Sequence, residues 1–469
     1  MTEPTRAAAH RTIATAVPAA QTAFDRGLLM LYAFNAGEAR LAFRAAESAD
    51  PHATLAYFGE AVAETIDINR PTTPDGERRG AAAIQRGRSA AATAPADDRA
   101  LFEAAAARFD LKRPESDRSK AFFAAMQSYS QTHPADAMGA TLAAFAGWNA
   151  TGRLTTDDDL LTADAQTIVD DLNHALELDP RDVGARHLRI HFWEQADRPE
   201  RALPDADFLA ARSYDPGESH LEHMAGHIYD RLGDYAQMVA VNERACANDA
   251  AYFAQGDADG QAYMRGYHDH NVDFVLYGLT TLGMDAQARA FADNESAYFR
   301  EIVALREHDD RGVLALLGAA ITPLRVIAEA RMGDLDAARK DLAGLRQQAG
   351  ETDVELMTAA VARAAHDDGA AIAAYRKALA AQGSFLGDPK GHWWIPPGEG
   401  LGATLLESRA DSEAEHVFRA ELERYPNDPR LEFGLAEALR AQGKDSAPAR
   451  DAYLRAWKGS RPLTPADLG

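Results

Sequence analysis

Histidines recur at helical spacing in the middle of this chain. Seven of its fifteen histidines lie in one central stretch, and they are His187, His191, His220, His223, His227, His268 and His270. An α-helix turns by about 100° per residue, so residues three or four apart share a face. His187 and His191 therefore lie on one helix face, and His220, His223 and His227 lie on another. Several imidazoles on one face are typical of a transition-metal site.

Two carboxylates continue the same spacing. Glu194 follows His191 by three residues, and Asp230 follows His227 by three. Each is expected to bind the metal or to orient an imidazole by a hydrogen bond, and each could accept a proton in catalysis. The predicted catalytic residues are Glu194 and Asp230. The predicted metal ligands are His187, His191, Glu194, His220, His223, His227 and His270.

The donor set limits which metal can bind. Imidazole ligands without thiolate suit copper, zinc, iron or nickel rather than calcium or magnesium. Cys246 is the only cysteine of the sequence, so a zinc site with two thiolates is excluded. Because histidine outnumbers carboxylate, copper is the first choice, with iron or zinc as the other candidates. The two His-x3-His pairs, completed by His270 and His220, would supply ligands for two ions.

Composition and charge exclude several classes of protein. The chain has 469 residues, of which 46% are hydrophobic, and no apolar run is long enough to span a bilayer. The N-terminus lacks the apolar region of a secretory signal, so a cytoplasmic protein is expected. A net charge of −23 argues against a nucleic-acid partner. Phosphate-binding glycine loops, Ser/His/Asp motifs and dinucleotide fingerprints are absent from the sequence.

The hydrophobic pattern is that of helices. Alanine is abundant, and apolar residues recur every three or four positions, as in residues 314–327 and 356–379. Residues 226–245 carry glycines and aromatics followed by a second helical segment, which resembles the tetratricopeptide repeat (TPR), a helix pair of about 34 residues. Ala39 with Phe43, and Ala414 with Phe418, match the second helix of that repeat.

The resemblance implies an all-α, TPR-like α-solenoid of antiparallel helix pairs, curled into a superhelix with a concave groove. Three parts are predicted, which are N-terminal repeats over 1–180, central His-rich repeats over 181–300 and C-terminal repeats over 301–469. The repeat register matches His187 with His223, His191 with His227, and Glu194 with Asp230. In TPR proteins these places line the groove, and His270 and Asp273 of the following repeat are expected to join them there.

A narrower resemblance is to a group of bacterial TPR proteins. Its marks are an early Phe-Asn segment, a His-x3-His helix, a His-Met-x-x-His-Ile-Tyr helix and a later His-Asn. The chain matches these marks at Phe34-Asn35, His187 to His191, 223–229 and His270-Asn271. Ala36 stands where the group tends to carry a histidine, so the N-terminal repeat is excluded from the predicted site.

Two segments are predicted to be long loops able to close a pocket over the histidines. They are residues 248–266 and residues 383–402, the second of which carries Trp393 and Trp394. His268 is expected to form a hydrogen bond rather than to bind metal. The isolated histidines are not expected to be ligands, and they are His10, His52, His133, His174, His308, His366 and His416.

Three functions fit this sequence. The first is a metal-dependent enzyme, an O₂-using oxidoreductase acting on a small molecule held in the concave groove at a mono- or dinuclear centre. A repeat fold alone does not define function, so the second possibility is a non-catalytic scaffold that binds a peptide or protein along the groove. The third is a metal store or chaperone, which one cysteine and ten methionines make the least favoured.

Overall fold

The computed structural model describes residues 5–156, 160–255, 258–382 and 395–469, with the backbone alone for 258–263. These residues are almost entirely helical, so the predicted all-α class is confirmed. Two short strands, β1 (Thr5–Arg6) and β2 (Arg212–Ser213), pair in parallel. Among the described helices, none has the length and apolar character needed to cross a membrane.

Most of the helices follow one another through short connections. In chain order they are α1 (Pro18–Tyr32), α2 (Ala36–Ala49), α3 (Thr54–Val62), α4 (Pro74–Thr93), α5 (Ala96–Arg108), α6 (Glu115–Thr132), α7 (Ala137–Ala150), α8 (Ala163–Leu178), α9 (Val183–Gln195), α10 (Leu203–Ala210), α11 (Ser219–Arg231), α12 (Tyr235–Phe253), α13 (Ala258–Thr281), α14 (Asp285–Ala292), α15 (Ala297–Arg306), α16 (Asp310–Leu317), α17 (Pro323–Arg331), α18 (Leu335–Leu345), α19 (Glu351–Ala364), α20 (Asp368–Ala381), α21 (Pro397–Glu407), α22 (Asp411–Arg424), α23 (Pro429–Ala441) and α24 (Ala447–Ala456). Short 3-10 helices cover Pro199–Ala202 and Pro465–Asp467. Helices joined by so few residues pack as antiparallel neighbours, the arrangement of a TPR-like solenoid.

The chain forms two compact units. Unit 1 comprises residues 1–228 and 241–271, and unit 2 comprises residues 229–240 and 272–469. All six histidines predicted as metal ligands belong to unit 1. The division into three blocks of repeats remains a prediction.

The helix that carries the first histidine pair begins at a well-defined cap. Asp182 is the N-cap of α9, and its Oδ1 accepts hydrogen bonds from the N–H groups of Gly184 and Ala185 at 2.8 and 3.0 Å. Its Oδ2 accepts from the hydroxyl of Thr141 at 2.7 Å. An N-cap satisfies N–H groups that a helix leaves unpaired, so this aspartate fixes where α9 starts. The positions of His187 and His191 follow from that start.

Phenylalanines of second helices pack directly on glycines of the helices beside them. Phe43 of α2 is fully buried, and it occupies the space that a Cβ would need at Gly27 of α1 and at Gly59 of α3. Phe418 of α22 is likewise buried against Gly402 of α21 and Gly434 of α23. Hydrogen at these positions lets three helices approach one aromatic ring.

The long loop predicted for residues 248–266 is wrong. α12 continues to Phe253 and α13 begins at Ala258, so only a short connection separates the two helices. The glycines and aspartates of this stretch favour turns, but α13 buries Met264 and Tyr267, and such packing outweighs local preference. In the other predicted loop, 383–394 with Trp393 and Trp394 lies outside the described residues, and helix α21 replaces the predicted loop from Pro397 onward.

The glycine contacts give a prediction with two opposite signs. Gly402→Ala should lower the free energy of unfolding by about 1–3 kcal/mol, because its methyl group would overlap the ring of Phe418. Gly344→Ala is the matched control within unit 2, since a Cβ at this position of α18 meets no atom within 4 Å. Alanine should raise stability there by about 0.5–1 kcal/mol through its helix propensity. Urea unfolding of both variants measures this, and stabilisation by both would contradict the packing.

Candidate metal centre

The predicted ligands come from three helices of the described chain. α9 carries His187 and His191, α11 carries His220, His223 and His227, and α13 carries His270. The six histidines converge as two groups of three, which are His187, His191 and His220 in triad A, and His223, His227 and His270 in triad B. Within each triad, one ring nitrogen from every member lies within 4.8 Å of the others.

Triad A is built on the end of α1. The Nε2 atoms of His187 and His191 are 3.1 Å apart. His187 Nδ1 donates to the carbonyl of Tyr32 at 2.7 Å, and Tyr32 is the last residue of α1, where a helix leaves carbonyls without an internal partner. The ring of His220 lies 4.9 Å from that of His187, centroid to centroid. Both nitrogens of His220 are buried, and neither has a hydrogen-bond partner among the described residues.

Triad B is oriented by two polar side chains. The Nε2 atoms of His223 and His227 are 2.8 Å apart. His223 Nδ1 donates to the amide oxygen of Asn242 at 2.6 Å, and His227 Nδ1 donates to the carboxylate of Glu194 at 2.7 Å. The ring of His270 lies 4.8 Å from that of His223, between centroids.

The two Nε2 atoms of His223 and His227 face each other as lone pairs. Each ring holds a proton on Nδ1, because an amide oxygen and a carboxylate accept hydrogen bonds and do not donate them, and a neutral ring then has a lone pair on Nε2. Two lone pairs at 2.8 Å repel unless a cation lies between them. Ligand atoms about 2.0 Å from one ion and 90–110° apart are about 2.8–3.3 Å from each other. The Nε2 separations in both triads, 3.1 and 2.8 Å, fit that spacing.

The triads adjoin each other within unit 1. The ring centroids of His220 and His223 are 5.7 Å apart, and those of His191 and His227 are 6.1 Å apart. Six imidazoles therefore form one cluster with room for two ions, each with three nitrogen ligands. Among the described residues, neither triad includes a carboxylate.

Burial keeps these imidazoles neutral. His187, His191, His220 and His223 are each at most 4% exposed. Loss of hydration lowers the pKa of His187 to about 3 and holds the pKa values of His191, His220 and His223 well below the usual range, with neighbouring histidines adding to the effect. Neutral imidazole is the form that binds metal, so these four histidines are in the ligating state at neutral pH.

Aromatic rings enclose triad A. Phe34 lies directly after α1 with a positive φ of 55°, and its ring centroid is 4.5 Å from that of His187 and 5.2 Å from that of His220. Tyr267 covers His220 at 4.4 Å, and Trp148 lies 6.4 Å from His191. The N-terminal repeat, excluded from the predicted site because of Ala36, supplies no member of either triad among the described residues, but its Phe34 forms part of the wall around triad A.

The remaining predicted residues have different positions. Glu194 accepts a hydrogen bond from His227 Nδ1, which is the orienting position rather than a place in a triad. Asp230 belongs to unit 2, as does Asp273, and their predicted part in the site remains a prediction. His268 hydrogen-bonds Asp249 at 3.2 Å, the alternative expected for it.

Sequence reasoning missed Phe34, Asn242 and Tyr267. Phe34 was visible only as part of the early Phe-Asn segment, and Asn242 gave no signal at all. In the described part of the chain, none of the isolated histidines enters either triad.

Three solved structures are similar to this chain. The TPR domain of P58(IPK) is 14% identical, with 90% of this chain and 98% of that one covered and a TM-score of 0.26. The Cut9–Hcn1 hetero-tetramer of the APC/C matches at 12% identity, over 77% of this chain and 72% of that one, with a TM-score of 0.36. Yeast Tom70 is 11% identical, with 90% of this chain and 86% of that one covered and a TM-score of 0.24. Likeness at this level carries no conclusion about function.

No protein-family model and no curated protein matches the sequence. The functional inference therefore rests on the residues of the cluster.

The buried histidines predict acid sensitivity of the metal-free protein. Below about pH 6.5 the unfolded chain protonates histidines that stay neutral when folded, so it binds more protons and stability falls as pH falls. Each of the four histidines with a lowered pKa contributes up to about 1.4 kcal/mol per pH unit to this loss of stability. Urea unfolding at pH 7.5 and 5.5 measures the loss. His220→Leu should reduce it by about 1 kcal/mol, and equal losses in variant and wild type would contradict a neutral His220.

Proposed function

We propose that this protein binds two transition-metal ions, one in each triad, and uses them to oxidise a small molecule with O₂. The observation that carries the proposal is the pair of lone pairs on His223 and His227, 2.8 Å apart and turned toward each other by Asn242 and Glu194. A shared cation turns that repulsion into coordination.

Copper is the first choice of metal, and iron or zinc are the alternatives. Each triad offers three neutral imidazoles and no carboxylate among the described residues, and imidazole suits copper, iron and zinc. Neutral ligands do not offset the charge of an ion, so they favour copper in its lower oxidation state. Diiron centres, by contrast, typically have carboxylate-rich surroundings. With triad A holding one ion and triad B the other, a redox pair would supply two-electron chemistry, in which the substrate would lose two electrons and two protons and O₂ would take them up as hydrogen peroxide.

The chain's own residues orient the ligands and exclude water. Glu194 fixes the tautomer of His227 and raises the basicity of its Nε2, and the Tyr32 carbonyl does the same for His187. Phe34 and Tyr267 cover His220 and keep water from its ring. Glu194 remains the candidate proton acceptor, since its carboxylate is buried against the cluster.

A cluster without metal requires either a second proton on His227, beside Glu194, or a different orientation of the Asn242 amide. If its amide were rotated by 180°, its NH₂ would donate to His223 Nδ1, and His223 Nε2 could then donate to His227. Three hydrogen bonds would satisfy the pair and no ion would be needed. Metal content distinguishes the two arrangements.

This prediction concerns how many metal ions each chain binds and which variant loses them. Protein purified without a His tag or chelating resin should contain about two transition-metal ions per chain, since three imidazoles and an open position suffice for each. His227→Ala should lose at least the ion of triad B, because it removes one of the facing nitrogens. Elemental analysis measures both. The control is His308→Ala, which changes a histidine of unit 2 and should keep all metal. Equal metal in the two variants would contradict the assignment.

Glu194→Gln tests the orienting role. Glutamine keeps an oxygen that accepts from His227 Nδ1 but loses the negative charge, so metal affinity should fall by about 10–100-fold, as for other groups that orient metal-bound histidines. Competition with a chelator measures the affinity. Full metal with lost O₂ consumption would identify Glu194 as the proton acceptor instead, and unchanged affinity together with unchanged activity would exclude both roles.

A second function, binding of a peptide, is favoured by one feature of unit 2. There a cavity of about 660 Å³ is lined by Arg363 and Tyr375 together with Ala466 and Gly469. Arg363 donates to the carbonyls of Leu468 and Gly469 at 3.1 and 3.2 Å, so this unit already holds a peptide backbone. A metal-free protein would leave a peptide-binding scaffold as the better account.

A further inference from the structure

A second cavity, this one in unit 1, lies near the histidine cluster. Its volume is about 330 Å³, at the lower end of the range for small-molecule sites. The residues that line it come from the start of α2, the end of α3 and the connection to α4, and its charged members are Arg40, Glu64, Asp67, Arg70 and Arg79.

The charge of this lining is positive. Three guanidinium groups face two carboxylates, and one of those carboxylates is already neutralised. Glu64 accepts two hydrogen bonds from Arg79 at 2.8 and 2.7 Å and lies 3.5 Å from Arg40. Because the chain as a whole carries a net charge of −23, a cavity lined by an excess of arginine stands apart from the rest of the protein.

The start of α2 adds donors to the same cavity. Ala36 and Gly37 are the first two residues of this 14-residue helix and both line the cavity. Their N–H groups lie outside the helix's own hydrogen-bond ladder, while Asn35 caps the third, that of Glu38. The positive end of the helix dipole therefore adds to the arginines.

Two aromatic residues, Phe34 and Tyr267, form the wall between the cavity and triad A. The ring of Tyr267 lies 4.4 Å from that of His220, tilted by 52°, and its hydroxyl donates at 2.8 Å to Oδ2 of Asp67, which lines the cavity. Arg70, which also lines the cavity, places its Cζ 4.8 Å from the Tyr267 ring centroid. Phe34 contacts His187 and His220, and Ala36, two residues later, lines the cavity. Residues of the cavity lining therefore contact or adjoin the aromatic side chains that cover the imidazoles.

We propose that this cavity binds a small anionic molecule through its carboxylate or phosphate group, and that this molecule is the substrate of the metal centre. Arg40 and Arg70 bind the anionic group together with the N–H groups of Ala36 and Gly37. Guanidinium groups and helix N-termini both recognise planar or tetrahedral oxyanions. The substrate assignment rests on the proposed function, whereas the anion site does not.

Titration calorimetry of the metal-free full chain tests the anion site directly. The probes are succinate, inorganic phosphate and succinamide, the uncharged counterpart of succinate. Saturable binding of succinate or phosphate, and none of succinamide, is expected. The anion that binds more tightly tells a carboxylate ligand from a phosphate ligand. Absence of saturable binding by both anions would overturn the site.

Variants of arginine locate the binding. Arg70→Gln and Arg40→Gln should each weaken binding of the preferred anion by at least about tenfold, which corresponds to about 1.4 kcal/mol. Arg88→Gln is the matched control, because Arg88 is exposed on α4 and does not line the cavity. Melting curves show whether each variant is folded. Equal weakening by Arg88→Gln and Arg70→Gln would show non-specific attraction and overturn the site.

The link to the metal centre has its own readout. In protein loaded with Cu(II), the preferred anion should shift the visible absorption band, with the half-saturation found by calorimetry. An anion that binds without moving the band would overturn the substrate assignment. Anion binding by a chain that takes up no metal would refute the proposed function and leave the anion site established.

Discussion

The burial of five imidazoles, with the sixth, His270, only partly buried, is the constraint on which the cluster depends, because each buried ring loses the hydrogen bonds that water gives to its two nitrogens. Three rings recover one of these bonds from an acceptor, namely the Tyr32 carbonyl, the Asn242 amide oxygen or the Glu194 carboxylate. Each such bond places the ring's proton on Nδ1 and so leaves Nε2 as an unprotonated lone pair. Pairing Nδ1 in this way thus leaves Nε2 as a buried acceptor that also needs a partner. A metal ion or an N–H donor meets that need. Neutral His191 can donate its Nε2–H to His187 at 3.1 Å, whereas the facing His223 and His227 need a second proton or an ion. Burial disfavours the second proton on His223 because it lowers the pKa of that imidazole.

Helix ends and helix faces meet this constraint without loops. α9 starts at the Asp182 cap, and its first histidine bonds the last carbonyl of α1, so two helix termini determine where triad A forms. The left-handed turn at Phe34 costs about 1–2 kcal/mol for a residue with a Cβ. That turn ends α1 and directs the ring onto the imidazoles. Ligands held on helices keep their geometry better than ligands on loops, which suits an ion that tolerates little displacement.

Sequence spacing predicted much of the cluster because helical period is a local property. His187 with His191, and His223 with His227, share a face in any α-helix, and that much needs no tertiary structure. The partners that orient them come from distant parts of the chain, and helix packing alone brings Tyr32 to His187, 155 residues away. The same limit explains the failed loop at 248–266. Turn preferences of glycine and aspartate are worth about 1 kcal/mol each, and burial of Met264 and Tyr267 exceeds them.

Phe34 and Tyr267 form the wall between the cavity and triad A, and this wall keeps a molecule bound in the cavity apart from the imidazoles. His187 and His220 are at most 1% exposed, and Phe34 and Tyr267 cover the ring of His220, so a molecule bound in the cavity lies behind these two aromatic side chains. Tyr267 touches both sides, since its ring contacts His220 and its hydroxyl bonds Asp67 in the cavity. Charge placed in the cavity would act on the imidazoles across buried aromatic side chains, where electrostatic coupling is stronger than in water. An anion there would stabilise added positive charge at the cluster, and so would favour the more oxidised state of a metal bound to it and couple occupancy of the cavity to that oxidation state.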